Sequence, residues 1–518
     1  MPRLAFKPDA SFFEKIVRGA VGTRAVCVDL AQHGHNLVEL ERGSLDTKLW
    51  KDVKRKRVRI PDLVCTNCGL RVESRAKSKA ELTMSHSESD AERTWDYGMV
   101  GADLVAFPIC DNQTFFWSTG KLHDNASYWH ERNRVRWRLS GHINYFSVSA
   151  FRSVPYAKVS RKGVTEGSET MISWLATFST RAGNVVSTTA NSISIRRAED
   201  NHLYTWKIRG DQSILVTQGD SVSNLQIIAS TVSPVSGSQL ACPRALPTNH
   251  IASLLASRER TQRFTGVKLA RLVRDGSHRE TVGSLAADPE EDVYIRLEGL
   301  SYLASVCKIS SRASFASFLS SPDQQTQLET VIALGETGTE EAVGMLSELL
   351  DSSDLPYFLR SAAAWCLGQI GGDIAITKLV STFNDVDQKL REDALDRIIS
   401  IGRSTVPVLL RHLNDPNDDT AAGCAEALRQ QSEIYHQIIN TLVPMLRDGE
   451  NQSVWPVWLL GNLPREEVVP RIAELQDSAP QLHFTLSLLW SFVESWIAHR
   501  WELRPGTTIS DLEDMDVV

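Results

Sequence analysis

Apolar positions along the chain change period twice, and the changes divide it into three stretches. From Ser11 to Val21 the apolar residues Phe12, Phe13, Ile16 and Val17 recur at helical spacing, with Ser11 placed to cap the first turn. Ala25–Leu30 and Asn36–Leu40 are short apolar or alternating runs suited to a strand or a strand–helix junction. Val58–Cys65 and Leu70–Arg75 read as two strands joined by the tight Thr-Asn-Cys-Gly turn. Asp103–Cys110 is almost continuously apolar, the pattern of a strand buried on both faces. Residues 1–110 therefore predict an α/β module.

Between 111 and 245 the pattern becomes strict alternation in short runs. Ile172–Phe178, Ser192–Arg197, Tyr204–Ile208 and Ser213–Thr217 are separated by Gly, Asn and Asp turns, which predicts a β-rich domain. Thr231–Pro247, with its Ser and Pro residues, reads as a linker. From 250 to 504 the period becomes helical and repeats itself. Gly335-Glu-Thr-Gly338 and Gly368-Gln-Ile-Gly371 stand 33 residues apart, and Ile401-Gly402 follows about one repeat later. Apolar-then-acidic turns recur in step at Leu349, Thr382 and His412, and a further LGNLP begins at Leu460. Two amphipathic helices per unit of this length predict an α-solenoid. Residues 505–518 form an acidic tail ending DLEDMDVV, expected to be disordered.

Composition narrows the class. A chain of 518 residues exceeds one ordinary core, so several domains are expected, and 42% hydrophobic with 23% charged residues is the balance of a globular protein. The net charge of −7 argues against a uniformly basic nucleic-acid coat but leaves room for a local patch. No apolar run reaches membrane-spanning length; Phe484–Trp501 is interrupted by Glu494, His499 and Arg500. Eight cysteines are too sparse for a disulfide scaffold, and with no apolar leader at the N-terminus the expected setting is cytoplasmic, without a membrane.

The chemistry concentrates between Lys48 and Lys79. If the two strands there pair as a hairpin, Asp62 and Glu73 project toward one end of a sheet, an oxygen-donor pair suited to a hard cation, Mg²⁺ or Mn²⁺. Such a cation polarises a phosphate and acidifies water, and Arg75 or Lys77 would then stabilise the developing charge. The basic residues Lys48, Lys51, Lys54, Arg55, Lys56, Arg57 and Arg59 precede the hairpin and could grip a phosphate backbone by counterion release. Cys65-x-x-Cys68 supplies half of a tetrahedral Zn²⁺ site; His86, Cys110 and His123 are candidates for the rest. His33 and His35 lie in an AQHGHN turn, where loop polarity accounts for them.

Pro61-Asp62 followed by Glu73-Ser74-Arg75 resembles the PD-(D/E)xK nuclease superfamily. The resemblance covers about the first fifth of the chain. It implies a restriction-endonuclease-like module at 1–110, a helix glutamate at Glu14 joining the site, and DNA as substrate. The chain departs from the motif at Arg75, which stands where the family has lysine. Arginine stays protonated and cannot act as a base, so Lys77 is the candidate to have taken over that role. Leu359–Gly371, LRSAAAWCLGQIG, resembles HEAT-like repeats, a kind also found in phycobilin-lyase-type proteins, and implies a platform for a protein partner or nucleic acid.

The expectation is thus a multi-domain α+β protein: a metal-dependent DNA endonuclease carried on a HEAT-like α-solenoid, by analogy in bacterial DNA processing or phage defence. The alternative is a non-enzymatic scaffold whose zinc knuckle contacts nucleic acid.

Overall fold

Helix α1 (Ala10–Gln32) opens the described chain and continues through Ala25–Leu30. The strand or strand junction expected there is helical because Val26 and Leu30, four residues apart, both enter the core beneath it. A computed structural model describes residues 10–41, 60–114, 135–159, 169–431, 434–447, 454–464, 467–468 and 470–471. It divides into two units, Met1–Trp117 with Trp129–Cys307 and Ser118–Tyr128 with Lys308–Val518.

In the first unit, β1 (Leu37–Glu39), β2 (Leu63–Cys65) and β3 (Arg71–Ser74) form an antiparallel meander. After β4 (Leu82–Ser87), strand β5 (Leu104–Phe107) joins β3 in parallel, with Val72 opposite Leu104. The hairpin β6 (Cys110–Thr114) and β7 (Val135–Leu139) follows. Strand β8 (Asn144–Ser147) then pairs antiparallel with β5 and leads into the short helix α2 (Val148–Arg152). The sheet thus runs β1-β2-β3-β5-β8. All four residues of β5 are buried, as its apolar run predicted: Leu104 and Ala106 face the α1 core, while Val105 and Phe107 face a cluster of Trp95, Phe146, Phe151 and Trp174.

Nine further strands follow: β9 (Ala157–Val159), β10 (Glu169–Trp174), β11 (Ala176–Phe178), β12 (Gly183–Thr189), β13 (Ser192–Arg197), β14 (Leu203–Lys207), β15 (Ser213–Ile214), β16 (Ser221–Val222) and β17 (Ile227–Ser230). They build three small sheets, β4-β10-β9, β11-β17-β15 and β14-β13-β12-β16. The alternation at 192–197 is borne out directly, with Ile193 and Ile195 buried between more exposed neighbours.

The strand content is as expected, but no unit boundary falls at 110 or 245. Strand β8 belongs to the N-terminal sheet, and β10 pairs with β4 along six residues from Glu169↔Ser87 to Trp174↔Leu82. Thr231–Pro247 is likewise not a free linker. Val235 bridges to Tyr145, and Leu240 is buried in the α1 core.

Four helices complete this unit: α3 (His250–Leu255), α4 (Arg260–Leu272), α5 (Arg279–Ala287) and α6 (Val293–Ser305). They share a core with Leu40, Ile60 and Val64, so the first part of the helical stretch packs on the sheet. Arg71 of β3 lies at that contact, paired with Asp103 at 2.5 Å and donating to Thr265 Oγ1 on α4 at 3.3 Å.

The second unit is helical repeats: α7 (Arg312–Leu319), α8 (Gln324–Thr337), α9 (Glu340–Asp351), α10 (Tyr357–Ile370), α11 (Gly372–Ser381), α12 (Gln388–Ile401), α13 (Val406–Arg411), α14 (Asp418–Arg429), α15 (Tyr435–Arg447) and α16 (Trp455–Gly461). The recurring sequence features have physical roles. Gly335 lies where α8 meets α10, and a Cβ there would stand 2.6 Å from Cys366 Sγ. Gly338 ends α8 at φ 61°, a left-handed cap that favours glycine. The acidic turns cap the helices that follow: Asp387 accepts from Lys389 N and Asn417 from Thr420 N. Asp385 in the same turn pairs with the buried Arg360 of α10. Among the described residues no helix is long and apolar enough to cross a membrane. The basic run Lys48–Arg59, His123 and the acidic tail lie outside the described residues.

Candidate metal centres on the β2–β3 hairpin

The register of β2 against β3 (Leu63↔Val72, Val64↔Arg71) makes Asp62 and Glu73 neighbours across the hairpin. Asp62 is fixed from both sides. Its carbonyl accepts from Leu40 N at 2.8 Å, and its Oδ2 accepts from Ser74 N at 2.8 Å. Its carboxyl is pushed well above the ordinary aspartate range, first by burial and then by the charges of Glu73 and Glu41; the Ser74 amide and Arg75 oppose the shift. Cys27 on α1 feels the same field, its thiol raised to about 11 by burial and by Asp62 and Glu39. The hairpin therefore gathers carboxylates into a poorly hydrated place.

Glu73 Oε1 accepts from Arg75 Nη2 at 2.9 Å, so the arginine at the motif's lysine position is drawn to the carboxylate pair. Two buried polar atoms here, Arg75 Nε and Ser74 Oγ, have no hydrogen-bond partner among the described residues. Buried donors are seldom left so. The carboxyl oxygens of Asp62 and Glu73 are donors of the kind that Mg²⁺ or Mn²⁺ takes. Lys77 is engaged elsewhere: its Nζ donates to Thr83 Oγ1 at 2.9 Å, and Thr83 donates on to Glu81. Glu14 falls on α1, in the initial turns whose side chains lie outside those described.

The other end of the hairpin carries the cysteines. Cys65 and Cys68 bracket the turn, and Gly69 N donates to Cys65 O at 2.8 Å. The residues that join them are His35 and Cys242, and the four ligand atoms lie within 4.8 Å of one another. Neither was expected in this role. His35 is buried, so loop polarity does not account for it, and Cys242 comes from the stretch taken for a linker. The expected ligands lie elsewhere: His86 Nδ1 accepts from Trp95 N at 3.3 Å, and Cys110 is buried at the start of β6. Cys65 is pushed down to about 4 by hydrogen bonding from Cys68, with burial opposing and His35 assisting, while Cys68 is raised by its bond to Cys65. No spacing rule joins His35 or Cys242 to the knuckle, since 177 residues separate Cys65 from Cys242.

The chain thus combines a mixed-sheet unit, whose hairpin bears a carboxylate pair at one end and joins a Cys/His cluster at the other, with a unit of paired helices. Residues 312–399 match the family model for HEAT repeats, which supports the repeat reading of the helical unit. No curated protein matches the chain. Among solved structures the chain is similar to Escherichia coli YibA, with 13% identity over 47% of this chain and 92% of that one, at a TM-score of 0.24. It is also similar to the complex of CpcE and CpcF of phycocyanin lyase from Nostoc, with 16% identity over 41% and 93% of the two chains, at a TM-score of 0.20. Human deoxyhypusine hydroxylase gives 15% identity, 48% and 86% coverage, and a TM-score of 0.17.

Proposed function

We propose that the chain is a divalent-metal-dependent nuclease acting on DNA, with Asp62 and Glu73 as the cation ligands and Arg75 as the charge-stabilising group. The observation that carries this reading is the hairpin itself: burial and then the neighbouring Glu73 raise the Asp62 carboxyl, with Arg75 beside the pair and two buried polar atoms, Arg75 Nε and Ser74 Oγ, without a hydrogen-bond partner among the described residues. Perturbation of this kind, by burial plus a specific charge partner, is a mark of functional sites. When bound, the cation supplies positive charge to the scissile phosphate and acidifies water.

Arg75 holds Glu73 in place and offers its guanidinium to phosphate oxygens, a role that planar donors perform well. It does not accept a proton, which separates this chain from the lysine form of the motif. Lys77, held by Thr83, is the less favoured cation. The basic residues from Lys48 to Arg59 are proposed to grip the DNA backbone. The HEAT-like repeats are proposed as a protein-binding platform, because stacked helix pairs present an extended surface.

The test is cleavage of supercoiled and linear DNA by the full chain with Mg²⁺ or Mn²⁺. Asp62→Asn and Glu73→Gln should abolish cleavage without loss of helical signal. Arg75→Ala should lower it by about 10²–10³-fold, the range for removing one transition-state donor. An active Asp62→Asn enzyme removes the proposal, and a wild-type chain inert with either ion favours the scaffold reading.

A further inference from the structure

We propose that His35, Cys65, Cys68 and Cys242 bind one structural zinc ion that staples three distant segments of the first unit together. In a tetrahedral site with Zn–S near 2.3 Å and Zn–N near 2.0 Å, ligand atoms stand about 3.5–3.8 Å apart. Cys65 Sγ lies 4.0 Å from Cys242 Sγ, and Cys68 Sγ lies 3.6 Å from His35 Nδ1. These separations are those of ligands around an ion. They are about twice the S–S bond of a disulfide, and all four side chains lie in one cluster.

The surroundings are built for the purpose. His35 Nε2 is 2.9 Å from Leu240 O, so it carries the proton and donates it, leaving Nδ1 bare and turned to the sulfurs. A ligating histidine is oriented in this way by a carbonyl behind it. Backbone amides are aimed at the sulfurs: Arg244 N donates to Cys242 Sγ at 3.3 Å, and the amides of Asn36 and Asn67 point at Cys65. Cys242 is itself positioned by its own N–H, which donates to His33 O at 2.9 Å. Three thiolates and one imidazole satisfy zinc's four positions, which makes the site a closed, structural one.

Its consequence is mechanical. The turn after α1, the β2–β3 loop and the segment following β17 meet at this point, and the same loop holds the hairpin that carries Asp62 and Glu73. Closing a loop of this length in the unfolded chain costs entropy that ion binding offsets. The assignment stands on its own ligands and does not depend on the nuclease reading.

The test is elemental analysis of the purified full chain, followed by exchange of the native ion for Co²⁺. The expected result is about one zinc per chain, and a cobalt form with the intense near-ultraviolet thiolate bands of a tetrahedral sulfur-rich site. Cys242→Ser and His35→Ala should each reduce zinc to roughly a fifth or less, in line with the 10–100-fold losses that even outer-shell changes cause. Cys307→Ala, outside the cluster, should leave zinc unchanged. Should the variants fail to fold, titration of the wild-type chain with an organomercurial should release its zinc as three thiols react. A wild-type chain without zinc, zinc indifferent to Cys242, a Cys65–Cys242 disulfide, or iron in place of zinc would each overturn the proposal.

Discussion

Arg71→Met should be among the most damaging single changes in the first unit, and a second mutation should partly repair it. Arg71 is 3% exposed, and its guanidinium forks onto Asp103, Nε to Oδ1 at 3.0 Å and Nη2 to Oδ2 at 2.5 Å. It also donates to Gly98 O at 3.2 Å and to Thr265 Oγ1 at 3.3 Å, linking β3 to α4. Removing one member of a buried ion pair costs about 3–5 kcal/mol, because the other charge is left without compensation. For a unit of this size that is a fall in Tm of roughly 5–8 °C. Burial raises the Asp103 carboxyl against the pull of Arg71, so the pair's desolvation is not fully repaid. Asp103→Asn should therefore destabilise the wild type yet stabilise the Arg71→Met protein, with a coupling energy of about 2–3 kcal/mol. The orphaned Asp103 of Arg71→Met has a raised folded-state pKa. Its penalty is small below about pH 4, the unfolded value, and grows as pH rises through the folded one. Urea denaturation followed by fluorescence of the buried Trp95 and Trp174 reads all four proteins of the cycle. A cost below about 1 kcal/mol for Arg71→Met, or strict additivity with Asp103→Asn, would show that Arg71 and Asp103 are not a coupled buried pair.

Asp62→Asn should raise the Tm of the cation-free protein at neutral pH. Its carboxyl is raised in the folded state, so ionisation weakens the fold as pH climbs from about 4 toward that raised value. By the same linkage, Mn²⁺ affinity measured by calorimetry should fall as pH is lowered through the Asp62 titration, with proton release on binding; affinity independent of pH would contradict this. Gly335→Ala should destabilise the helical unit by about 1–3 kcal/mol, since the added methyl meets Cys366 at 2.6 Å. Thermal unfolding by circular dichroism checks it, and an unchanged Tm would count against the close packing of α8 on α10.

Local patterns were legible where one residue's neighbours in sequence are also its neighbours in space. The 33-residue recurrence of Gly335 and Gly368, the alternation at 192–197 and the apolar run of β5 each describe contacts or burial that repeat at a fixed period. The β2–β3 hairpin was legible because a short turn fixes its register, which sets Asp62 and Glu73 across from each other. What sequence could not supply was long-range closure. His35 looked like loop polarity and Cys242 like part of a linker, yet both reach the Cys65–Cys68 knuckle through strands and turns that carry no spacing signal. The unit boundary was misplaced for a similar reason. Strand β8 and helices α3–α6 complete the N-terminal sheet and its cover, so changes in periodicity at 110 and 245 mark changes in local structure within a unit that runs on to Cys307.

The measurement that bears most directly on the proposed cation site is manganese anomalous scattering from crystals of the full chain. A manganese peak is expected between the carboxylates of Asp62 and Glu73, at about 2.0–2.3 Å from their oxygens and separate from the cysteine cluster, and lost in Glu73→Gln. A well-ordered hairpin with no manganese between those carboxylates at millimolar ion would contradict it.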